Sequence, residues 1–371
     1  MSDTELYFFF TKNLLEWHEA NPRPMPWKGE RNPYLVWLSE IILQQTRVEQ
    51  GLPYFEHFKA AYPTVTDLAN ALEDEVMKLW EGLGYYSRAR NLHATAKYIT
   101  HELSSSFPTT YEGIRSLKGV GDYTAAAIAS FAFDLPHAVV DGNVYRVLSR
   151  FFGIETPTDT TEGKRQFAVL AQGILEIGKL GIHDFLPSQF NQAIMDFGAM
   201  QCTPASPNCT ACPMRERCVA FLQGKTAVLP VKSKKMERRQ RFFNYLIFNK
   251  LNQVYIKKRE AKDIWQNLYD FPLVETDSLE EGREFLTTNK TCQAWLAEVS
   301  GWRLLRVSAP LRQELTHQRI VAKFWEVEVE PDFLPKEANW IAVERGNLAK
   351  FAFPKIADLY FKQKLLPLEL F

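Results

Sequence analysis

The chain has 371 residues, 46% hydrophobic and 24% charged, which is more than one ordinary core and close to the globular average. At roughly 150 residues per domain this length gives two or three domains, and the composition excludes disordered, collagen-like and disulfide-scaffold classes. Forty-four basic and forty-four acidic residues cancel, which argues against a nucleic-acid binder unless the charge is unevenly placed.

In chain order, the N-terminus MSDTEL is acidic, and no basic stretch precedes an apolar one. Apolar runs such as LYFFF at 6–10 fall far short of the ~20 residues that span a bilayer, so an intracellular protein is expected. Apolar residues recur at helical spacing at Trp37, Leu38, Ile41 and Ile42, then at Leu68, Leu72, Val76, Leu79 and Trp80, then at Val144, Val147, Leu148, Phe151 and Phe152. The first 224 residues are therefore predicted to be almost wholly α-helical. Within the first stripe, Glu40 is surrounded by Leu35, Val36, Trp37, Leu38, Ile41, Ile42 and Leu43. A helix there holds the carboxyl against apolar surface and raises its pKa, which makes it a candidate proton donor.

Residues 117–129, LKGVGDYTAAAIA, set two glycines around a valine ahead of an Ala-rich helix. The backbone amides of such a turn can hold a phosphate, or the segment is a plain helix–helix connection. Asp141, in AVVDGNVYRVLSRFF, precedes a helical pattern and is a candidate N-cap whose ionised form the helix dipole favours. Four of the five cysteines then fall within seventeen residues, Cys202, Cys209, Cys212 and Cys218, as C-x6-C-x2-C-x5-C. Zinc and a [4Fe-4S] cluster accept four sulfurs equally, and either leaves no open coordination position, so a centre that organises a loop is expected. Cys292 stands alone and reads as a buried thiol.

Between 225 and 241 seven lysines and arginines face Glu237 alone, six net positive charges that leave the remainder equally negative. With Pro230 inside it, this run reads as a basic linker, either a solvated connector or a phosphate contact. Beyond it, FFNYLIF at 242–248, VYIKK at 254–258 and VAKFWEVEVE at 321–330 are β-branched and aromatic, so the last third is predicted to be α+β.

SEIILQQTRV, EGLGYYSRARNL, LKGVGDYTAAAIAS, AVVDGNVYRVLSR, FNQAIMDFGAMQC and the cysteine array, in that order, resemble the adenine DNA glycosylases of the MutY type, within the helix-hairpin-helix glycosylase superfamily. The resemblance is dense over residues 5–224. It implies a mainly α N-terminal helix-hairpin-helix glycosylase fold of two helical subdomains, a six-helix barrel at about 28–137 and a cluster subdomain built from 1–27 plus 138–224. For the cysteines it implies a [4Fe-4S] cluster. Glu40 resembles the general acid that protonates adenine at N7, and Asp141 the carboxylate that stabilises the sugar cation. The chemistry asks for such a pair, since a purine must leave protonated while an oxocarbenium-like sugar forms. Arg23, Trp27, Leu43 and Gln192 match the pocket for the extruded base, and Gln45 and Tyr85 the residues that wedge into the duplex. Lys118, Gly119, Val120 and Gly121 match the phosphate-binding hairpin, although Lys118 precedes the first glycine and is not expected to face the cleft.

Tyr123 separates the nearest relatives. In endonuclease III-like enzymes this position is a lysine that attacks the sugar and cleaves the strand. A phenol forms no imine, so hydrolysis without strand cleavage is expected. The alternatives are an endonuclease III-like glycosylase-lyase for damaged pyrimidines and a non-catalytic iron-sulfur protein that binds DNA.

After the linker, KDIWQNLYDFPLVE and LTHQRIVAKFWEV resemble the same family's C-terminal Nudix-like domain, here 242–371, which implies recognition of 8-oxoguanine opposite the adenine. The hydrolase signature, a glycine followed by R-E-x-x-E-E, is not matched by REFLTT at 283–288, so pyrophosphatase activity is not expected. Where the family commonly shows Phe-Ser-His, this chain has Leu315, Thr316 and His317. The expected partner is duplex DNA carrying A opposite 8-oxoguanine or G, the expected state a monomer, and the expected place the bacterial cytoplasm.

Overall fold

Local capping chemistry starts the first helices. Ser2 and Glu5 form a reciprocal capping box ahead of α1 (Asp3–Ala20). Asn32 accepts from the Tyr34 amide, with Pro33 in the first turn, ahead of α2 (Pro33–Leu43). The computed structural model describes residues 2–233, 238–297, 301–335 and 337–365, so Lys234, Lys235 and Glu237 of the basic run lie outside the described residues. Helices follow as α3 (Val48–Ala61), α4 (Val65–Asn70), α5 (Glu73–Leu79), α6 (Ser87–His101), α7 (Tyr111–Arg115), α8 (Asp122–Phe133), α9 (Gly142–Phe152), α10 (Thr161–Gly181), α11 (Pro187–Met200) and α12 (Val219–Leu222). Among the described residues no helix is long and apolar enough to cross a membrane.

The chain divides into two compact units, one of Met1–Ala69 with Ala94–Lys235 and the other of Asn70–His93 with Met236–Phe371. In the first, Phe10 and Leu14 of α1, Val147 and Leu148 of α9, Phe167 and Ile174 of α10, and Phe190 and Phe197 of α11 share one buried core. The stripe from Leu68 to Trp80, predicted as one helical pattern, is split into α4 and α5, and Leu72 is 67% exposed. The Glu75 carboxylate accepts from the Leu72 amide and so starts a new helix there.

The second unit is built on a sheet of β1 (Arg239–Lys250), β2 (Gln253–Lys258), β3 (Tyr269–Asp270), β4 (Leu273–Thr276), β5 (Trp302–Val307), β6 (Leu311–Glu314), β7 (Gln318–Val329) and β8 (Trp340–Glu344), with α13 (Phe285–Thr288), α14 (Lys290–Leu296) and α15 (Lys355–Leu365). β1 and β7 run parallel from Arg239↔Gln318 to Asn249↔Glu328, whereas the other pairings among the described residues are antiparallel. β1 is buried continuously from Phe243 to Asn249, which matches the near-continuous apolar run FFNYLIF, whereas β7 carries Lys323 and Glu326 among its buried residues and ends in the alternating EVEV.

The segment Asn70–His93 is fastened within this second unit. Lys258 Nζ lies 2.5 Å and the Tyr269 hydroxyl 2.8 Å from the Asp74 carboxylate, and Asn267 Nδ2 donates to Glu73 at 2.7 Å. The Phe353 amide donates to Glu81 at 2.8 Å, and the Tyr85 and Thr316 hydroxyls hydrogen bond to each other.

Candidate functional site

A cleft of about 1760 Å³ opens in the first unit. Glu40 reaches it from the last turn of α2, Tyr123 from the first turn of α8, and Asp141 from the N-cap of α9. Glu40 is 9% exposed, and burial pushes its carboxyl up to about 7. The nearby Asp141 charge acts in the same direction, against a hydrogen bond from the Tyr123 hydroxyl. The Tyr123 phenol is itself pushed up by burial and by the two carboxylates, so it stays protonated and donates.

Asp141 is held differently. Its Oδ1 accepts from the Asn143 and Val144 amides at 2.8 Å each, and its Oδ2 from Asn143 Nδ2 at 2.7 Å. Burial raises the carboxyl above its ordinary value, while these hydrogen bonds and the Arg146 charge pull it back. Two carboxyls thus share one cleft, one facing a phenol and the other saturated with donors. The first suits a proton donor and the second a fixed negative charge.

Arg23, Trp27, Leu43, Gln45 and Gln192 line the same cleft, as do Gly119 and Gly121. Gly119 takes φ +83°, a left-handed conformation that turns the hairpin, while Val120 is 3% exposed and anchors it. Lys118 is exposed and lies outside the cleft lining. Gln45, at φ +55°, and Tyr85, at φ +48°, both hold left-handed backbone without being glycine. Tyr85, Thr316 and His317 belong to the second unit, Thr316 and His317 in the turn between β6 and β7.

Sequence reasoning missed the residues that support Asp141. Arg146, one turn into α9, donates to Asn143 Oδ1 at 2.8 Å, to the Gly198 carbonyl and to the Cys202 carbonyl at 2.6 Å. A Cβ on Gly198 would stand 2.6 Å from Asn143 Cβ, so only glycine lets α11 approach the start of α9 this closely. The signal was an arginine five residues beyond an N-cap aspartate, on the helix face that turns inward.

Cys202, Cys209, Cys212 and Cys218 are unbridged, half-buried, and line one small apolar cavity together. Among the described residues no three Cys, His, Asp or Glu side chains form a group that could hold a metal ion. Arg150 fastens the cysteine loop, donating to the carbonyls of Thr203 at 2.7 Å, Pro204 at 3.1 Å and Leu229 at 3.0 Å, with Nη1 3.4 Å from Cys202 Sγ.

Residues 38–172 match the model of the HhH-GPD superfamily of base excision DNA repair proteins, and residues 244–363 match that of the NUDIX domain. The chain is 36% identical over 270 residues to the adenine DNA glycosylase of Buchnera aphidicola from Schizaphis graminum, covering 72% of this chain and 76% of that protein. It is 41% identical over 220 residues to the human adenine DNA glycosylase, covering 57% and 39%. A solved thermostable thymine-DNA glycosylase superposes with TM-score 0.53 at 27% identity, over 59% of this chain and 98% of that one. An endonuclease III bound non-covalently to DNA superposes with TM-score 0.51 at 20% identity, over 60% and 99%, and so shares the fold. With a helix-hairpin-helix half, a Nudix-like half and a relative matched over three quarters of its length, the chain belongs to the adenine DNA glycosylases.

Proposed function

We propose that this chain is a monofunctional glycosylase that extrudes adenine paired with 8-oxoguanine or G from duplex DNA and hydrolyses its N-glycosidic bond. The observation that carries the proposal is the pair of carboxyls in one cleft, Glu40 raised to about 7 beside a phenol and Asp141 bound by donors. Glu40 gives its proton to adenine N7, and the C1′–N9 bond breaks with its electron pair leaving on the base. Asp141 stabilises the oxocarbenium-like sugar. Water then adds to C1′ and returns a proton to the Glu40 carboxylate, leaving an abasic site and free adenine. Tyr123 keeps the Glu40 carboxyl oriented and supplies no amine for strand cleavage.

Arg23, Trp27, Leu43 and Gln192 form the base pocket, Gly119 and Gly121 present backbone amides to a phosphate, and Gln45 and Tyr85 wedge the duplex. Thr316 and His317 read the lesion. The four cysteines would hold a [4Fe-4S] cluster: they do not converge on one point as ligands of a single metal ion do, but all four line one small apolar cavity with the Arg150 guanidinium beside Cys202 Sγ, which suits an anionic multi-atom cluster. When bound, such a cluster cross-links the loop after α11 and so backs Arg146 and Asp141. The protein acts on duplex DNA as a monomer in the bacterial cytoplasm.

The test is a duplex carrying A opposite 8-oxoguanine, incubated with the protein and divided into samples with and without alkali. Breaks at the adenine only after alkali are expected. Breaks without alkali, trapped by borohydride, would show lyase chemistry instead.

A further inference from the structure

Asp196 lies on α11 one turn beyond Gln192, and both line the cleft. Its side chain is 1% exposed, so its charge must be compensated locally. Two cations and an imidazole, from two segments, surround it. His18 Nε2, at the end of α1, stands 3.1 Å from Oδ2; Lys28 Nζ stands 2.5 Å from the same oxygen; and Arg23 Nη1 stands 3.6 Å from Oδ1. Burial pushes the Asp196 carboxyl up, but hydrogen bonds from His18 and Lys28 more than offset it.

Arg23 and Lys28 belong to residues 21–32, which form neither helix nor strand. Such a segment has little backbone pairing to fix its orientation, so side-chain moorings must supply it. Asp196 is one mooring. The other is Arg31, whose Nη1 lies 2.6 Å from Asp134 Oδ2 at the C-cap of α8 and donates to the Phe131 carbonyl at 3.0 Å. Between the two, Trp27 packs edge-on against Phe55 with ring centroids 5.4 Å apart and faces the cleft.

We propose that Asp196 is a positioning residue for the base pocket, tying the 21–32 strap to α11 so that Arg23 and Trp27 stand opposite Gln192 around the extruded adenine. This rests on the adenine-excision reading above. Asp196 does not touch the base; it acts through Arg23 and Lys28. Its effect should therefore appear only when there is a base to seat.

The test uses full-length protein. Asp196→Asn, Lys28→Met and the double variant are each placed in a Glu40→Gln background, which keeps the base attached. Affinity is measured for a duplex with A opposite 8-oxoguanine and for the same duplex carrying a stable abasic analogue in place of A. Asp196→Asn is expected to weaken binding of the adenine duplex by about tenfold or more, the scale of a close charge pair, and to leave the abasic duplex unaffected. The double variant should lose less than the sum of the two single losses, because the Lys28–Asp196 pair is cut by either change, while Lys28 also holds the Arg23 carbonyl and Asp196 also meets His18 and Arg23. Lys28→Met, at a part-exposed position, makes the same test without altering the buried carboxylate. Equal losses on both duplexes, or no loss on either, would overturn the inference. Failure of the otherwise unsubstituted protein to release adenine would overturn the excision reading on which it rests.

Discussion

Glu40 in the helical unit and Asp270 in the sheet unit are both buried carboxyls pushed upward by desolvation, yet their surroundings differ in kind. Asp270 is 0% exposed, and its Oδ2 is met by Arg259 Nη1 at 2.9 Å and its Oδ1 by the Phe271 amide at 3.1 Å. Arg259 continues to Asp263 at 2.7 Å, and Arg241 joins Asp263 at 3.0 Å and Glu275 at 2.7 Å. Each carboxyl also meets a phenol, Tyr123 at Glu40 and Tyr245 at Asp270, but Glu40 has a second carboxylate nearby and opens onto a cleft. Burial alone does not mark chemistry. Both carboxyls are raised to about 7, so what separates them is access: Asp270 is engaged by a fixed cation inside the sheet unit, whereas Glu40 opens onto a cleft into which a proton can be passed.

The largest test of that contrast removes the cleft pair. Glu40→Gln and Asp141→Asn are each expected to cut single-turnover base release by about a thousandfold or more, the scale of a lost acid or a lost transition-state charge. DNA affinity should be nearly unchanged, because phosphate contacts dominate it. Base release persisting in both variants would break the comparison at once.

The opposite substitution, Asp270→Ala, leaves Arg259 with Asp263 as its remaining carboxylate and one buried N–H without its acceptor, and should cost about 1–3 kcal/mol in urea unfolding. Adenine release per folded molecule should be retained. A loss of chemistry with stability intact would make Asp270 more than an anchor.

A pH series sharpens the same point. The Glu40 carboxyl is raised from 4.5 to about 7, so the folded state binds its proton more tightly than the unfolded chain does. Its favourable contribution to stability is fully present below about 4.5 and is lost as pH rises through about 7. Single-turnover rates should fall through the same range as the acid form disappears. Glu40→Gln should remove this part of the stability profile, and an unaltered profile in that variant would assign the titration elsewhere.

The smallest effect belongs to the sheet unit. Thr316→Val with His317→Ala should reduce the discrimination between A opposite 8-oxoguanine and A opposite G by about 1–3 kcal/mol for each hydrogen bond to the lesion that is removed. Competition between the two duplexes measures it. Truncation near Lys232 is a blunter probe, because it also strips Lys258, Asn267 and Tyr269 from Glu73 and Asp74. Discrimination equal to that of the unsubstituted chain would separate these two residues from lesion reading.

The cleft was legible where chemistry is local in sequence. Glu40 betrays itself by lying in an apolar stripe, Asp141 by preceding one, and the cysteines by their spacing. β1 announced itself as the near-continuous apolar run FFNYLIF because it is buried on both faces. What sequence could not show depends on partners far along the chain. Arg146 needs Gly198 and Cys202 before its role is visible, and Asp196 needs His18, Arg23 and Lys28. The break at Leu72 was hidden because α5 is started there by a single bond from the Leu72 backbone amide to the Glu75 carboxylate rather than by a capping side chain at Leu72.

The placement of Asn70–His93 with the C-terminal sheet also sets an order of events during synthesis. These residues leave the ribosome long before Lys258, Asn267, Tyr269 and Thr316, which fasten Glu73, Asp74 and Tyr85. At ~5–20 residues per second, the roughly 140 residues between His93 and the start of the sheet take on the order of 7–30 s to emerge. During that interval Ala94–Lys235 of the first unit, with Tyr123 and Asp141, is itself emerging, while Tyr85 still lacks the hydroxyl it meets in the finished protein. The cleft residues are thus complete before the sheet is, so a premature stop between Lys250 and Thr316 spares Glu40, Tyr123 and Asp141 but leaves Tyr85 without its tether.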